Sequence, residues 1–178
     1  MNIIILGNIL ALCAMITDSI STTRKKHTEI LGIQIISQFF YGTMSVVLKG
    51  YSATAQNAVA VFRNLAAMKN IKSKALENIL ILAGVVLGLV LNNRGFMGLL
   101  PVIANFQYSV AVFRLKTRPR ALKISFGLNS VLFCVFNFVI MNYVGVVANA
   151  VVAISSFIAA AKGGADPAPE RDPEEAGQ

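Results

Sequence analysis

Apolar runs about as long as a bilayer is thick, separated by short segments holding almost all of the positive charge, leave this chain few ways to fold. Seven runs can be marked, at about 2–21, 30–48, 52–68, 77–91, 97–115, 122–140 and 144–161. Each approaches the ~20 residues that a spanning helix needs, and the fourth is the shortest. Hydrocarbon cannot satisfy backbone donors and acceptors, so the runs are read as helices. Only 13% of the 178 residues are charged, against about 25% in an ordinary soluble domain. The expectation is an all-α integral membrane bundle forming one domain over residues 1–162.

Charge then predicts orientation. Residues 1–162 carry fifteen Lys or Arg and only Asp18, Glu29 and Glu77 as acids. With seven spans, thirteen of those cations fall on one side, at 24–26, 63, 69, 72, 74, 114, 116, 118, 120, 123 and 162. Lys49 and Arg94 remain on the other. The predicted topology has the N-terminus outside and the C-terminus in the cytoplasm. Cations placed between apolar runs meet lipid headgroups, which argues against a nucleic-acid partner for this basic chain. The last sixteen residues, with three Pro, three Gly and five acids, lack the apolar surface to fold and are expected to be a disordered tail.

A faint internal repeat accompanies the spans. Asn57-Ala58-Val59 in the third returns as Asn149-Ala150-Val151 in the seventh, and Thr23-Arg24 returns as Thr117-Arg118. Both offsets slightly exceed ninety residues. Spans one to three and five to seven would then be parallel triplets joined by the fourth span, a 3+1+3 layout. A second echo, from Gln56 to Arg63 and from Gln107 to Arg114, links spans three and five. The triplet scheme does not predict it, and shared anchoring at the cytoplasmic edge is the simpler account.

The polar residues inside the runs carry what chemistry there is. Gln34, Gln38, Tyr41 and Ser45 form one stripe along the second span, with Ser37 beside it. Span three offers Gln56 and Asn57. Span five adds Pro101, Asn105 and Tyr108. Span six adds Ser125, Asn129 and Asn137, and span seven adds Asn149 and Ser156. Such groups either bond between helices, at about 1 kcal/mol each, or converge on a polar cavity that admits a small neutral solute. Gln38, Tyr41, Asn57, Asn105, Tyr108, Asn129 and Asn149 are the candidate solute-binding set, and Pro101 the candidate hinge, because proline removes a donor and frees a carbonyl one turn earlier. Asp18 is read as pairing with Arg24 or Lys25 at the interface, with a protonatable coupling role as the alternative. Arg63 and Arg114 are expected to snorkel to headgroups, with binding of an anionic substrate as the alternative, and His27 to be solvated.

Enzymatic chemistry has no cast. No two acids share a helix face within the spans, no histidine lies in a span, and no phosphate-binding glycine loop occurs. Gly84 and Gly88 read as a close-packing pair. Cys13 and Cys134 have no metal-ligand or disulfide spacing, so neither metal nor cofactor is called for.

The short first helix followed by Arg24-Lys25-Lys26, the Asn57 to Arg63-Asn64 segment and the Asn92-Asn93-Arg94-Gly95 turn resemble the YgjV-type family of small bacterial inner-membrane proteins, over residues 1–162. The resemblance implies a multi-pass protein of the bacterial inner membrane and no particular substrate. More distantly, the 3+1+3 layout resembles SWEET sugar facilitators and PnuC-type vitamin transporters. Those carry small solutes between two three-helix halves, with Pro and Asn at hinge and pocket. Pro101 and Asn105 fit that pattern. The first triplet has Asn8 but no proline in its spans, and the chain has no Trp to stack on a vitamin ring. The resulting expectation is a facilitator or ion-coupled carrier of a small polar solute. The rival is a non-transporting scaffold or accessory protein. A homodimer is expected only if one chain is too small to enclose a path.

Overall fold

The computed structural model describes residues 2–22, 27–69, 71, 73–114 and 118–162. The cations at 24–26, 72 and 116, the side chain of His27 and the tail at 163–178 lie outside the described residues. So does any pairing of Asp18 with Arg24 or Lys25. Among the described residues there are seven α-helices and no strand. They are α1 (Ile3–Thr22), α2 (His27–Val47), α3 (Tyr51–Met68), α4 (Lys74–Val90), α5 (Leu99–Arg114), α6 (Pro119–Val139) and α7 (Tyr143–Lys162), with a single 3-10 turn at Gly95–Gly98 before α5.

Local chemistry explains the ends. Helices α2, α4 and α6 begin three residues before the apolar runs, because helical hydrogen bonding continues through a polar first turn. Ser73 caps α4, its hydroxyl accepting from the Leu76 amide at 3.3 Å. Pro119 opens α6, where its missing N–H costs nothing. Helices α2 and α6 stop in the same way. Lys49 (φ 55°) and Met141 (φ 60°) adopt the left-handed conformation. The following amides, Gly50 and Asn142, donate back to Ser45 and Asn137 at 2.7 and 2.9 Å.

The packing is inverted relative to a water-soluble protein. Large apolar side chains such as Leu82, Val90, Phe138, Val147 and Ile154 face outward. Buried positions hold Ala11, Ala14, Ala53, Ala60, Ala104 and a set of Ser, Asn and Gln side chains. Small residues let helices approach closely, which is how a bundle coheres when lipid is as apolar as leucine. Gly95–Arg114, Arg120–Val139 and Tyr143–Lys162 are long and apolar enough to cross a membrane by length and composition, and Ile3–Asp18 is a shorter apolar helix.

The helices form a ring in the order α1, α2, α3, α5, α6, α7, closed by contact between α7 and α1. Helix α4 packs outside the ring, across α3 and α5. Gly84 and Gly88 make that approach possible. Gln56 Nε2 on α3 donates to the Gly84 carbonyl at 2.8 Å, and a methyl placed on Gly88 would sit 2.5 Å from Val102 on α5. Gly88→Leu is therefore expected to destabilise the fold by about 1–3 kcal/mol through overpacking. Thermal unfolding in detergent checks this, with Leu89→Ala on the exposed face as the near-neutral control.

Candidate functional site

The ring helices and α4 line a partly open cavity of about 1600 Å³. All seven candidate residues line it: Gln38 and Tyr41 from α2, Asn57 from α3, Asn105 and Tyr108 from α5, Asn129 from α6 and Asn149 from α7. Gln34 and Ser45, the other members of the α2 stripe, line it as well. Period-3.6 geometry does this, since residues three, four and seven apart share one helix face.

The structure divides the amides of the helices into two groups. One group ties helices together. Gln56 bonds the Gly84 carbonyl, and Gln107 exchanges bonds with Ser125, donating to its carbonyl at 2.9 Å and accepting from its hydroxyl at 2.6 Å. Asn8 donates to the Met141 carbonyl at 3.1 Å and accepts from the Val144 amide at 3.0 Å, joining α1 to α7. The other group faces the cavity. Among the described residues, Gln38, Asn57 and Asn105 make no side-chain hydrogen bond. The Asn129 Nδ2 is buried without an acceptor. Asn149 donates within its own helix to Gly145 at 2.9 Å. A buried amide without a partner is costly, so Asn129 Nδ2 is suited to a polar guest or to water.

Asp18 also lines the cavity, accepting hydrogen bonds from Ser37 and Tyr41 on α2. Two expectations need correction. Arg63 does not snorkel. Its side chain is 9% exposed, lies with its guanidinium 5.3 Å above the Tyr108 ring and donates to Ser109 Oγ at 3.2 Å. Helix α3 continues to Met68, so Arg63 lies more than a turn short of its end and is packed against α5. Arg114, at the last residue of α5, is exposed and donates to Asn78 Oδ1 at 3.0 Å. Pro101 is buried in the first turn of α5, directly after the 3-10 turn, and does not line the cavity. A proline there starts a helix instead of kinking one.

The two ends of the cavity differ. Its lining reaches Lys74, Arg114 and Lys123 at the cationic end. At the other end it stops against a buried apolar cluster of Ala11, Met44, Leu48, Ala53, Phe136 and Ile140. Asn142, fully buried beside this plug, donates to Asn137 Oδ1 at 2.9 Å and contacts Met44 Sδ at 3.4 Å, while accepting from the Gly145 amide at 3.0 Å. The α2–α3 turn is held by Arg94 and Asn93, which donate to the Leu48 and Lys49 carbonyls at 2.8–3.2 Å. Sequence reasoning passed over Asn142 and placed Arg63 at the headgroups, with an anionic substrate as the alternative. Arg63 was detectable, since Asn57, Ala60 and Arg63 follow one face of α3.

The fold and its inverted packing define a helical membrane protein with a polar interior. Residues 5–164 match the model of the Imp-YgjV bacterial inner membrane proteins, and the chain belongs to that family. It is a multi-pass protein of the bacterial inner membrane. No curated protein and no solved structure matches it.

Asn142→Ala removes three interactions from the closed end. A loss of about 1–3 kcal/mol is expected, in line with buried polar partners left unsatisfied. Thermal unfolding checks the loss, compared with Asn149→Ala, whose amide bonds only within its own helix.

Proposed function

We propose that this protein carries a small polar solute across the inner membrane, using the central cavity as its binding site. The observation that supports the reading is the convergence of amides from five ring helices on one cavity, bounded at one end by an apolar plug and at the other by cations. On this reading all seven helices span the membrane. The cation-rich end faces the cytoplasm and the N-terminus lies outside. The shorter or more polar α2, α3 and α4 cross because the ring shields their polar faces from lipid.

An internal symmetry supports the same mechanism. Adding 92, the spacing from Asn57 to Asn149, to the bounds of α1 and α2 takes Ile3–Thr22 to Gly95–Arg114 and His27–Val47 to Pro119–Val139. The start of α3, Tyr51, goes to Tyr143, the start of α7. The two left-handed turn residues, Lys49 and Met141, obey the same offset. So do the plug pairs Met44 with Phe136 and Leu48 with Ile140. The junctions α3–α5 and α7–α1 are then equivalent, and α4 is the linker. Rocking two such triplets would close the cytoplasmic end and part the plug, exposing one site to either side in turn. One chain supplies the whole candidate binding set, so on this reading the path requires no second copy.

The rival reading, a scaffold or accessory protein, needs neither water in the cavity nor a moving plug. Single cysteines at Gln38, Asn57 and Asn105, with Cys13 and Cys134 replaced by Ser, separate the two. A membrane-impermeant thiol reagent is expected to label all three from the cytoplasmic side of inverted vesicles, and Gln56→Cys to stay protected. Slower labelling from the outer side would accompany alternating access. Protection from both sides would refute the carrier reading, and labelling from the cytoplasmic side alone would favour the scaffold.

A further inference from the structure

We propose that Arg63 binds the charged group of the solute, and that the solute belongs to the small monocarboxylates. The proposal rests on the carrier reading above and adds the charge of what is carried. A guanidinium has five donors, and the Ser109 hydroxyl takes one of them here. Among the described residues no carboxylate forms an ion pair with Arg63. Asp18 and Glu77 line the cavity too, each with contacts of its own. An arginine buried in a membrane bundle without a counterion is expensive to keep and marks a functional site.

The geometry around it is that of a built site. Tyr108 supports the face of the guanidinium and Ser109 holds one nitrogen, which fixes the plane of the fork. Arg63 lines the cavity beside Asn105 and Asn64. A fork held in plane matches a carboxylate through two parallel hydrogen bonds, and the neighbouring amides suit hydroxyl or carbonyl groups on the same solute. One buried guanidinium balances one negative charge, which fits a monocarboxylate better than a doubly charged phosphate. The charge is also one-sided. Ninety-two residues after Arg63 the equivalent position is Ser155, which lines the cavity without a charge. The remaining lining cations, Lys74, Arg114 and Lys123, stand at the mouth, where they would raise the local concentration of anions.

The test measures the cavity's potential at one cysteine, in full-length protein in phosphatidylcholine vesicles. Asn105→Cys, in a background without Cys13 and Cys134, is reacted with an anionic and a cationic methanethiosulfonate reagent. With Arg63 present the anionic reagent is expected to react faster, by about tenfold after allowance for intrinsic rates. Arg63→Gln should abolish the preference and Arg63→Lys should retain it, a pair that separates charge from folding. An equal ratio with Arg63 and with Gln means that the charge is already neutralised, and overturns the proposal while leaving the cavity wet. No reaction with either reagent overturns the carrier reading itself. Lactate should slow the labelling more than glycerol or inorganic phosphate does at matched ionic strength, and equal protection, including none, overturns the monocarboxylate assignment. A preference that disappears when phosphatidylglycerol is added would assign Arg63 to a lipid phosphate instead.

Discussion

Hydrocarbon offers no hydrogen bonds, and that constraint decides where each amide in this chain goes. Asn8, Gln56 and Gln107 satisfy themselves against neighbouring helices and thereby hold the ring closed and α4 against it. The amides left over are turned inward, away from lipid. The cavity follows from this sorting. It is the volume remaining when helices packed through Ala, Ser and Gly must also shelter polar side chains that no neighbour can satisfy.

The same constraint makes the two ends unequal. Apolar side chains fill the space between α2 and α6 at the turn end, where Phe136 packs against Gly50 and Leu48 against α1. Cations collect at the opposite end, supplied by Lys74 on α4, Arg114 on α5 and Lys123 on α6. A bundle built this way has a sealed end and a charged end before any solute is considered. Arg63 lies between them, and its burial is the feature least explained by packing alone.

Much of this was legible in the sequence because membrane helices advertise themselves by length and apolarity. The helices lie within three residues of the expected spans, and the seven polar residues singled out on five runs do meet in one cavity. The faces were readable because a helix repeats every 3.6 residues, so Gln34, Gln38, Tyr41 and Ser45 had to share a side. Arg63 and Arg114 were not separable in that way. They end near-identical segments, Gln56 to Arg63 and Gln107 to Arg114, yet one is packed on Tyr108 and the other is exposed at a helix end. Pro101 misled for a related reason. Its effect depends on where the helix begins, and a 3-10 turn moved that start to Leu99.

Local rules thus determined the class of the protein, its helices and the faces those helices would hide. These are properties of single segments in a solvent that punishes exposed polarity. Which amides bond and which stand open, which arginine is buried and which end is plugged were decided only by the tertiary structure. Those outcomes depend on what lies across the interface from each side chain, and a neighbour forty-six residues away, such as Ser109 for Arg63, exists for it only once the ring has closed.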